Sequence, residues 1–366
     1  MILAFLSLLT AASISFISIP SIIKIAEIKH LFDEPDHRKH HIVKTPTLGG
    51  IAIFAGLIFS LTFWADQASI VELQYIISAV ILLFFMGMKD DLFNLVAYKK
   101  LIGQLMASFI LVHWAGIKIT TFYGLFGIYD LDVMSSYALS VFTIVVVTNS
   151  FNLIDGVDGL AASLGIVASS VFGFWFFSAG VSQYAILASC MVGSLLGFLY
   201  YNRSPARIFM GDTGSLICGV ILSILAIKFI EMNRVLDRTH PHKILAVPVV
   251  TLAILVIPLF DTLRVITIRI LQGRSPLSAD RNHLHHLLFS LGFSHSKTTS
   301  ILLFFNIVTI VWVYYFQSIK SELLLTILLG SCVLVSSWMV FKVRQKTMGF
   351  VSQSFAATDS QEEHIQ

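Results

Sequence analysis

The chain has 366 residues and a formal net charge of +3; 56% of residues are hydrophobic and only 12% are charged. That balance excludes the two or three soluble domains this length would otherwise suggest, while the net charge says little by itself because its distribution matters more; no nucleic acid is expected as a partner. Cys190, Cys218 and Cys332 fall in apolar stretches without metal-ligand spacing, so they read as packing residues rather than disulfides or ligands.

Apolar runs long enough to cross a bilayer recur along the whole chain. Eleven spans are predicted, at 2–23, 48–65, 73–88, 101–117, 135–149, 160–178, 183–200, 214–230, 244–260, 298–316 and 322–341. The fold class expected is an all-α polytopic membrane protein of about eleven transmembrane helices, with its active-site loops on the cytoplasmic face. One integral membrane domain would cover 1–345, leaving 346–366 as a polar, disordered tail. The first run, Ile2–Ile23, has no basic n-region and no cleavage site, so it reads as a retained span.

Lys and Arg set the orientation. If the 24–47 loop is cytoplasmic, that face carries 18 of the 24 basic residues, counted over 24–47, 89–100, 150–159, 201–213, 261–297 and the tail. The positive-inside bias then places the N-terminus outside and the C-terminus in the cytoplasm. Of the outer loops, 118–134 suggests a small hairpin at the membrane surface.

The unusual polar residues all fall on the cytoplasmic side. The first loop runs from Asp33 through Arg38, Lys39, His41 and Lys44 to Pro46, Gly49 and Gly50; any one of its cations would be an ordinary interfacial anchor, but the Pro and Gly pair suggests a shaped entry into the second span. Asp90-Asp91 ends the third span where basic residues are usual, and a carboxylate pair fits binding a divalent cation or taking a proton. Lys99 and Lys100 add positive charge beside it.

The stretch from Asn149 to Gly159 is the most informative. Asn149, Asn152, Asp155 and Asp158 recur every three residues and share roughly one face if helical. A polar loop with Asp158 as N-cap of the next helix would explain one carboxylate and leave three polar residues over. Carboxylates are costly near hydrocarbon, which favours a ligand site.

Phe209-Met210-Gly211-Asp212-Thr213-Gly214-Ser215 precedes another span; Asp212 and the hydroxyls suit Mg²⁺ or a helix cap, and Phe209 suits either packing or stacking on a base. The 261–297 loop opens with Asp261, Arg264 and Arg269 on a candidate amphipathic helix. It then carries Arg281, His283, His285 and His286, without the further ligands a structural zinc site needs. Carboxylates interleaved with Arg, Lys and His on one membrane face suit a metal-bridged phosphate substrate, and a lipid as one of two substrates.

These motifs, in this order, resemble the polyprenyl-phosphate N-acetylhexosamine-1-phosphate transferases of bacterial membranes, over Asp33 to about Leu288. The resemblance implies a Mg²⁺-dependent phosphoglycosyl transferase (with Mn²⁺ as a substitute) in the bacterial inner membrane. It would move N-acetylhexosamine 1-phosphate from a UDP-sugar to undecaprenyl phosphate, release UMP and initiate a lipid-linked cell-envelope glycan such as O-antigen. Leu284 interrupts the His run, which points to UDP-GlcNAc rather than the UDP-MurNAc-pentapeptide of the peptidoglycan branch.

On the family pattern Asp212 binds the metal with help from Asn149, and Asp90 deprotonates or orients the lipid phosphate with Asp91 beside it. Asn152, Asp155, Asp158, Phe209 and Lys100 position uridine and pyrophosphate. Arg281, His283, His285 and His286 hold sugar and pyrophosphate, and Arg38, Lys39 and Lys44 attract the lipid phosphate. The partners implied are the UDP-sugar, the lipid and the bilayer, with a homodimer left open. The competing class, a secondary transporter, would place ionisable groups near the midplane and show inverted repeats, neither of which is seen.

Overall fold

The computed structural model describes residues 2–31, 45–65, 72–237, 239–275 and 282–363. Thirteen α-helices are found among them: α1 (Ile2–Lys29), α2 (Gly49–Trp64), α3 (Leu73–Phe93), α4 (Ala97–Phe109), α5 (Val133–Ile154), α6 (Leu160–Ser178), α7 (Ser182–Asn202), α8 (Gly211–Val235), α9 (Val247–Ile254), α10 (Val256–Leu271), α11 (Leu284–Ser290), α12 (His295–Tyr315) and α13 (Ser321–Glu363). The protein is an all-helical, multi-pass membrane protein.

Seven of these helices are long and apolar enough to cross a bilayer, and the bent pair α9–α10 makes an eighth if counted as one span. That is fewer than the eleven predicted, and for α2 and α4 the reason is length. A 16-residue helix such as α2 rises about 24 Å, short of a hydrocarbon core of about 30 Å. α4 has 13 residues before a π-helical turn at Ile110–Trp114. The apolar part of α3 ends at Lys89-Asp90-Asp91, inside the helix.

The bend between α9 and α10 has a local cause. The two axes turn by 82°, and Pro258 lies four residues after Ile254, so it can neither donate to that carbonyl nor pack against it without a clash. The buried Asn306 of α12 donates to the carbonyls of Ala253 and Ile254 at 3.1 and 3.4 Å, supplying partners the helix lost. The break thus turns α10 away from the span and carries Asp261 with it.

α8 is the axis of the molecule, enclosed along its whole apolar length and packed against α2, α3, α5, α6 and α9. Small residues allow its closest contacts, as packing within a membrane requires. A Cβ on Gly87 would lie 2.6 Å from the Thr213 nitrogen, and one on Gly219 would lie 2.5 Å from the Thr148 Cα. These two positions bring α3 and α5 against the head of α8, with the sequence-predicted polar residues at their ends.

At the opposite end the expected hairpin is present as an antiparallel bridge between Thr121 and Asp130. Glu231 of α8 accepts from the Thr120 nitrogen at 2.8 Å and its hydroxyl at 2.7 Å. An ion pair between the buried Lys228 and the half-buried Glu72, at 2.6 Å, joins α8 to the start of α3. The three cysteines are free and buried, as packing residues.

Candidate active site

The site is built on the N-terminal turn of α8. Gly211 has a φ of +69°, and a Cβ there would lie 2.7 Å from an Asp91 oxygen, so the turn needs glycine. The entry to α2 lies alongside. The Phe209 nitrogen donates to the Pro46 carbonyl at 2.8 Å, while the Gly49 and Gly50 nitrogens donate to the Phe209 and Met210 carbonyls at 2.9 Å. The Pro-x-x-Gly-Gly motif therefore shapes backbone around the site, and Phe209 is half-buried there.

Asp90 and Asp91, adjacent in sequence, point to different partners. Asp91 accepts from the Asp212 nitrogen at 2.7 Å, the Thr213 nitrogen at 3.1 Å and the Thr213 hydroxyl at 2.6 Å. It binds orphan donors of the helix terminus and fixes the turn that carries Asp212. Asp90 is buried, accepts from the Leu95 nitrogen and pairs with Lys100. Lys100 also reaches Asp212 at 2.5 Å, so one ammonium joins two carboxyl groups from different helices.

Asp155 completes the group. The residue keeps some accessible surface, but its carboxyl is enclosed, and burial raises its pKa well above the ordinary carboxylate value, aided by Asp212 and Asp91. Burial, with Asp212 beside it, takes Asp90 up to about 6; burial takes Asp91 up to about 7 against the pull of its donors. Such displacement marks a crowded anionic site.

The two asparagines differ. Asn152 donates to the Ser215 hydroxyl at 2.9 Å and bonds to the Asp212 carboxylate. Asn149 is paired with Gln104, exchanging hydrogen bonds of 3.2 and 2.5 Å, and Asn152 rather than Asn149 contacts Asp212. Gln104 was not singled out from the sequence; a lone buried amide in a helix carries no spacing signal.

With this geometry in view, the relatives are informative. The sequence profile of glycosyl transferase family 4 matches residues 73–230, which include Asp90, Asp91, Lys100, the 149–159 stretch and Asp212. A Bacillus subtilis protein described as a probable undecaprenyl-phosphate N-acetylglucosaminyl 1-phosphate transferase is 35% identical over 299 residues, covering 81% of this chain and 79% of that protein. The chain belongs to the polyprenyl-phosphate N-acetylhexosamine-1-phosphate transferase family. A Mycolicibacterium smegmatis decaprenyl-phosphate N-acetylglucosaminephosphotransferase is 33% identical, covering 73% of this chain and 71% of its own. The Escherichia coli K12 undecaprenyl-phosphate alpha-N-acetylglucosaminyl 1-phosphate transferase is 29% identical, with 74% and 72% covered.

In this transferase the remaining predicted residues divide. Asp158 does not cap α6, whose N-cap is Gly159. Its oxygens go to the Ala206 nitrogen at 3.2 Å and to His295 of α12 at 3.4 Å, tying the loop to the α7–α8 connection and to α12. His295 was not foreseen, because it lies nine residues past the His motif with nothing beside it to suggest a partner. Arg38, Lys39, Lys44 and Arg281 lie outside the described residues.

The three His of the transferase stack. His283 and His285 rings are parallel within 8° at 5.5 Å, and His285 and His286 are 4.3 Å apart. The stack reaches the Asn/Asp loop, where a Cβ on Gly156 would lie 3.2 Å from His285 Nε2. Burial takes His285 down to about 2, so it is neutral and brings no charge to a phosphate.

Among the described residues no three His, Cys, Asp or Glu side chains form a ready-made metal cage. Mg²⁺ asks for less, because one or two carboxylates suffice when water and substrate phosphates complete the octahedron. Asp90 and Asp212, which share the Lys100 ammonium, form with the neighbouring Asp155 and Asp91 an oxygen donor set with excess negative charge, which fits a hard cation.

Proposed function

We propose that the protein transfers N-acetylglucosamine 1-phosphate from UDP-GlcNAc to a polyprenyl phosphate with release of UMP, at the start of a cell-envelope glycan. The observation that carries this reading is the meeting of Asp90 and Asp212 on Lys100 at the head of α8, with Asp155 beside Asp212. An oxygen of the lipid phosphate attacks the sugar-bound phosphorus of the donor. The bond from that phosphorus to the bridging oxygen breaks, and UMP leaves with the oxygen and its charge.

Asp90, paired with Lys100, orients the lipid phosphate and takes any proton it carries. Lys100 meets the charge that grows on the pyrophosphate, and the α8 N-terminus adds its dipole. Asp212 would hold Mg²⁺, with Asn152 and Asp155 next to it, and the ion supplies charge neutralisation of the pyrophosphate. His283 and His286 face the sugar phosphate as donors.

Leu284 supports the choice of donor. It is buried and lines an apolar cavity with Phe260, Leu302, Phe305 and Met339, so a His in its place would put a polar ring among apolar side chains. UDP-GlcNAc or a close UDP-N-acetylhexosamine is therefore expected to release UMP when the purified protein is given undecaprenyl phosphate and Mg²⁺. UDP-MurNAc-pentapeptide is expected to be inert. Robust turnover of the pentapeptide donor would move the protein to the peptidoglycan branch.

The site faces the cytoplasm, on the strength of the Lys and Arg distribution. Cysteines introduced at the exposed positions Arg274 and Lys320 test it, since the native cysteines are buried. A membrane-impermeant thiol reagent applied to intact cells is expected to modify position 320 and spare 274. The reverse pattern would place the site outside.

A further inference from the structure

Asp261 lies on α10 at the end of the run Pro258-Leu259-Phe260 and is 1% exposed. A carboxylate so enclosed needs strong partners, and it has two. Its Oδ2 is 2.8 Å from His283 Nδ1, and its Oδ1 accepts the Leu284 nitrogen at 2.8 Å. A second contact ties the same segment to the same helix, since Arg264 donates to the Asn282 carbonyl at 2.5 Å.

We infer that Asp261 is a positioning residue that sets the protonation of His283 and so turns its Nε2 toward the donor sugar phosphate. This rests on the role of His283 in the proposed function. A carboxylate can only accept, so the imidazole carries its proton on Nδ1 and leaves Nε2 as the basic nitrogen. When Nε2 meets the anionic pyrophosphate it takes up a proton and donates to it, and the Asp261 charge stabilises the imidazolium. The stack of His283 on His285, which abuts Gly156, connects this dyad to the Asp155 loop.

The competing role is structural, a cap for α11 through the Leu284 nitrogen. Asp261→Asn separates the two. The amide oxygen of Asn still accepts from Leu284, but its other group is an NH₂ that must donate to His283 Nδ1, which holds the ring neutral and removes the carboxylate that stabilises the imidazolium. With UDP-GlcNAc, undecaprenyl phosphate and the full chain, kcat of Asp261→Asn is expected to fall about 10- to 100-fold. KM for UDP-GlcNAc and thermal unfolding in detergent should change little. The double variant Asp261→Asn/His283→Gln should be no slower than His283→Gln alone, because Asp261 acts through His283.

Near-normal kcat in Asp261→Asn, or losses that multiply in the double variant, would overturn the inference while leaving the transfer reaction in place. If wild type releases no UMP from any UDP-N-acetylhexosamine, the proposed function itself fails. If Asp261→Asn does not fold, ¹⁵N shifts of His283 in the wild-type protein decide the matter. A proton on Nδ1 supports the dyad, and a neutral ring protonated only on Nε2 ends it.

Discussion

Replacing Asp212 with Asn is expected to lower kcat by roughly a thousandfold or more, while the protein inserts and unfolds like the wild type. The change removes one negative charge and keeps the shape. Everything that holds the turn is backbone or belongs to another residue: the Asp91 carboxylate binds the Asp212 nitrogen, and Gly211 takes the left-handed conformation before it. The side chain of Asp212 is left to Asp90, Lys100 and Asn152, none of which the fold of α8 requires. If Asp212 served only as an acidic first-turn residue favoured by the helix dipole, Asn would cost tenths of a kcal/mol and activity would persist. UMP release measured across a Mg²⁺ titration separates the two. Turnover near wild type at any Mg²⁺ concentration would remove Asp212 from the metal site.

Much of this site was legible in the sequence because polar residues in an apolar chain are conspicuous. Asp90, Asp155 and Asp212 stood out for their cost in such surroundings, and the structure brings them to one place. What the sequence could not say was which way each points. Asp90 and Asp91 are about 100° apart on a helix, so only packing against α8 shows that one meets Lys100 and the other binds the amides of Asp212 and Thr213. Asn149 and Asn152, three apart, likewise divide between Gln104 and Asp212.

The count of spans was less legible. Hydropathy sees apolar content, and α2 has it, yet its 16 residues fall short of a bilayer. The break at Leu255 did leave a trace in Pro258, whose consequence for Ile254 follows from its missing N–H. Asp261 left one too. A carboxylate three residues after that proline, inside an apolar run, marks the head of the 261–297 segment; its partner His283, 22 residues on, is beyond any local pattern.

Lys100→Met is expected to move two quantities in opposite directions, lowering kcat by about 100- to 1,000-fold and tightening Mg²⁺ binding by about tenfold or more. In the structure the Lys100 ammonium lies on Asp212 at 2.5 Å and on Asp90 as well, between carboxyl groups whose neighbours are also acidic. It therefore occupies, in charge, the place a divalent cation would take. A cation binding Asp212 has to displace it, and the displaced ammonium on its flexible stem then reaches the phosphate oxygens of the donor. Met keeps the stem and removes the charge, so the competitor for Asp212 is gone and so is the group that follows the pyrophosphate through transfer. A purely structural Lys100, neutralising two carboxylates so that α3 and α8 can pack, predicts otherwise: the Met variant would lose thermal stability, Mg²⁺ would restore both stability and turnover, and kcat at saturating metal would approach wild type. Mg²⁺ affinity read from the metal-dependent rise in unfolding temperature, set beside kcat at saturating Mg²⁺, distinguishes the two. Weaker Mg²⁺ binding in the variant would mean that Lys100 assists the metal site rather than holding its place.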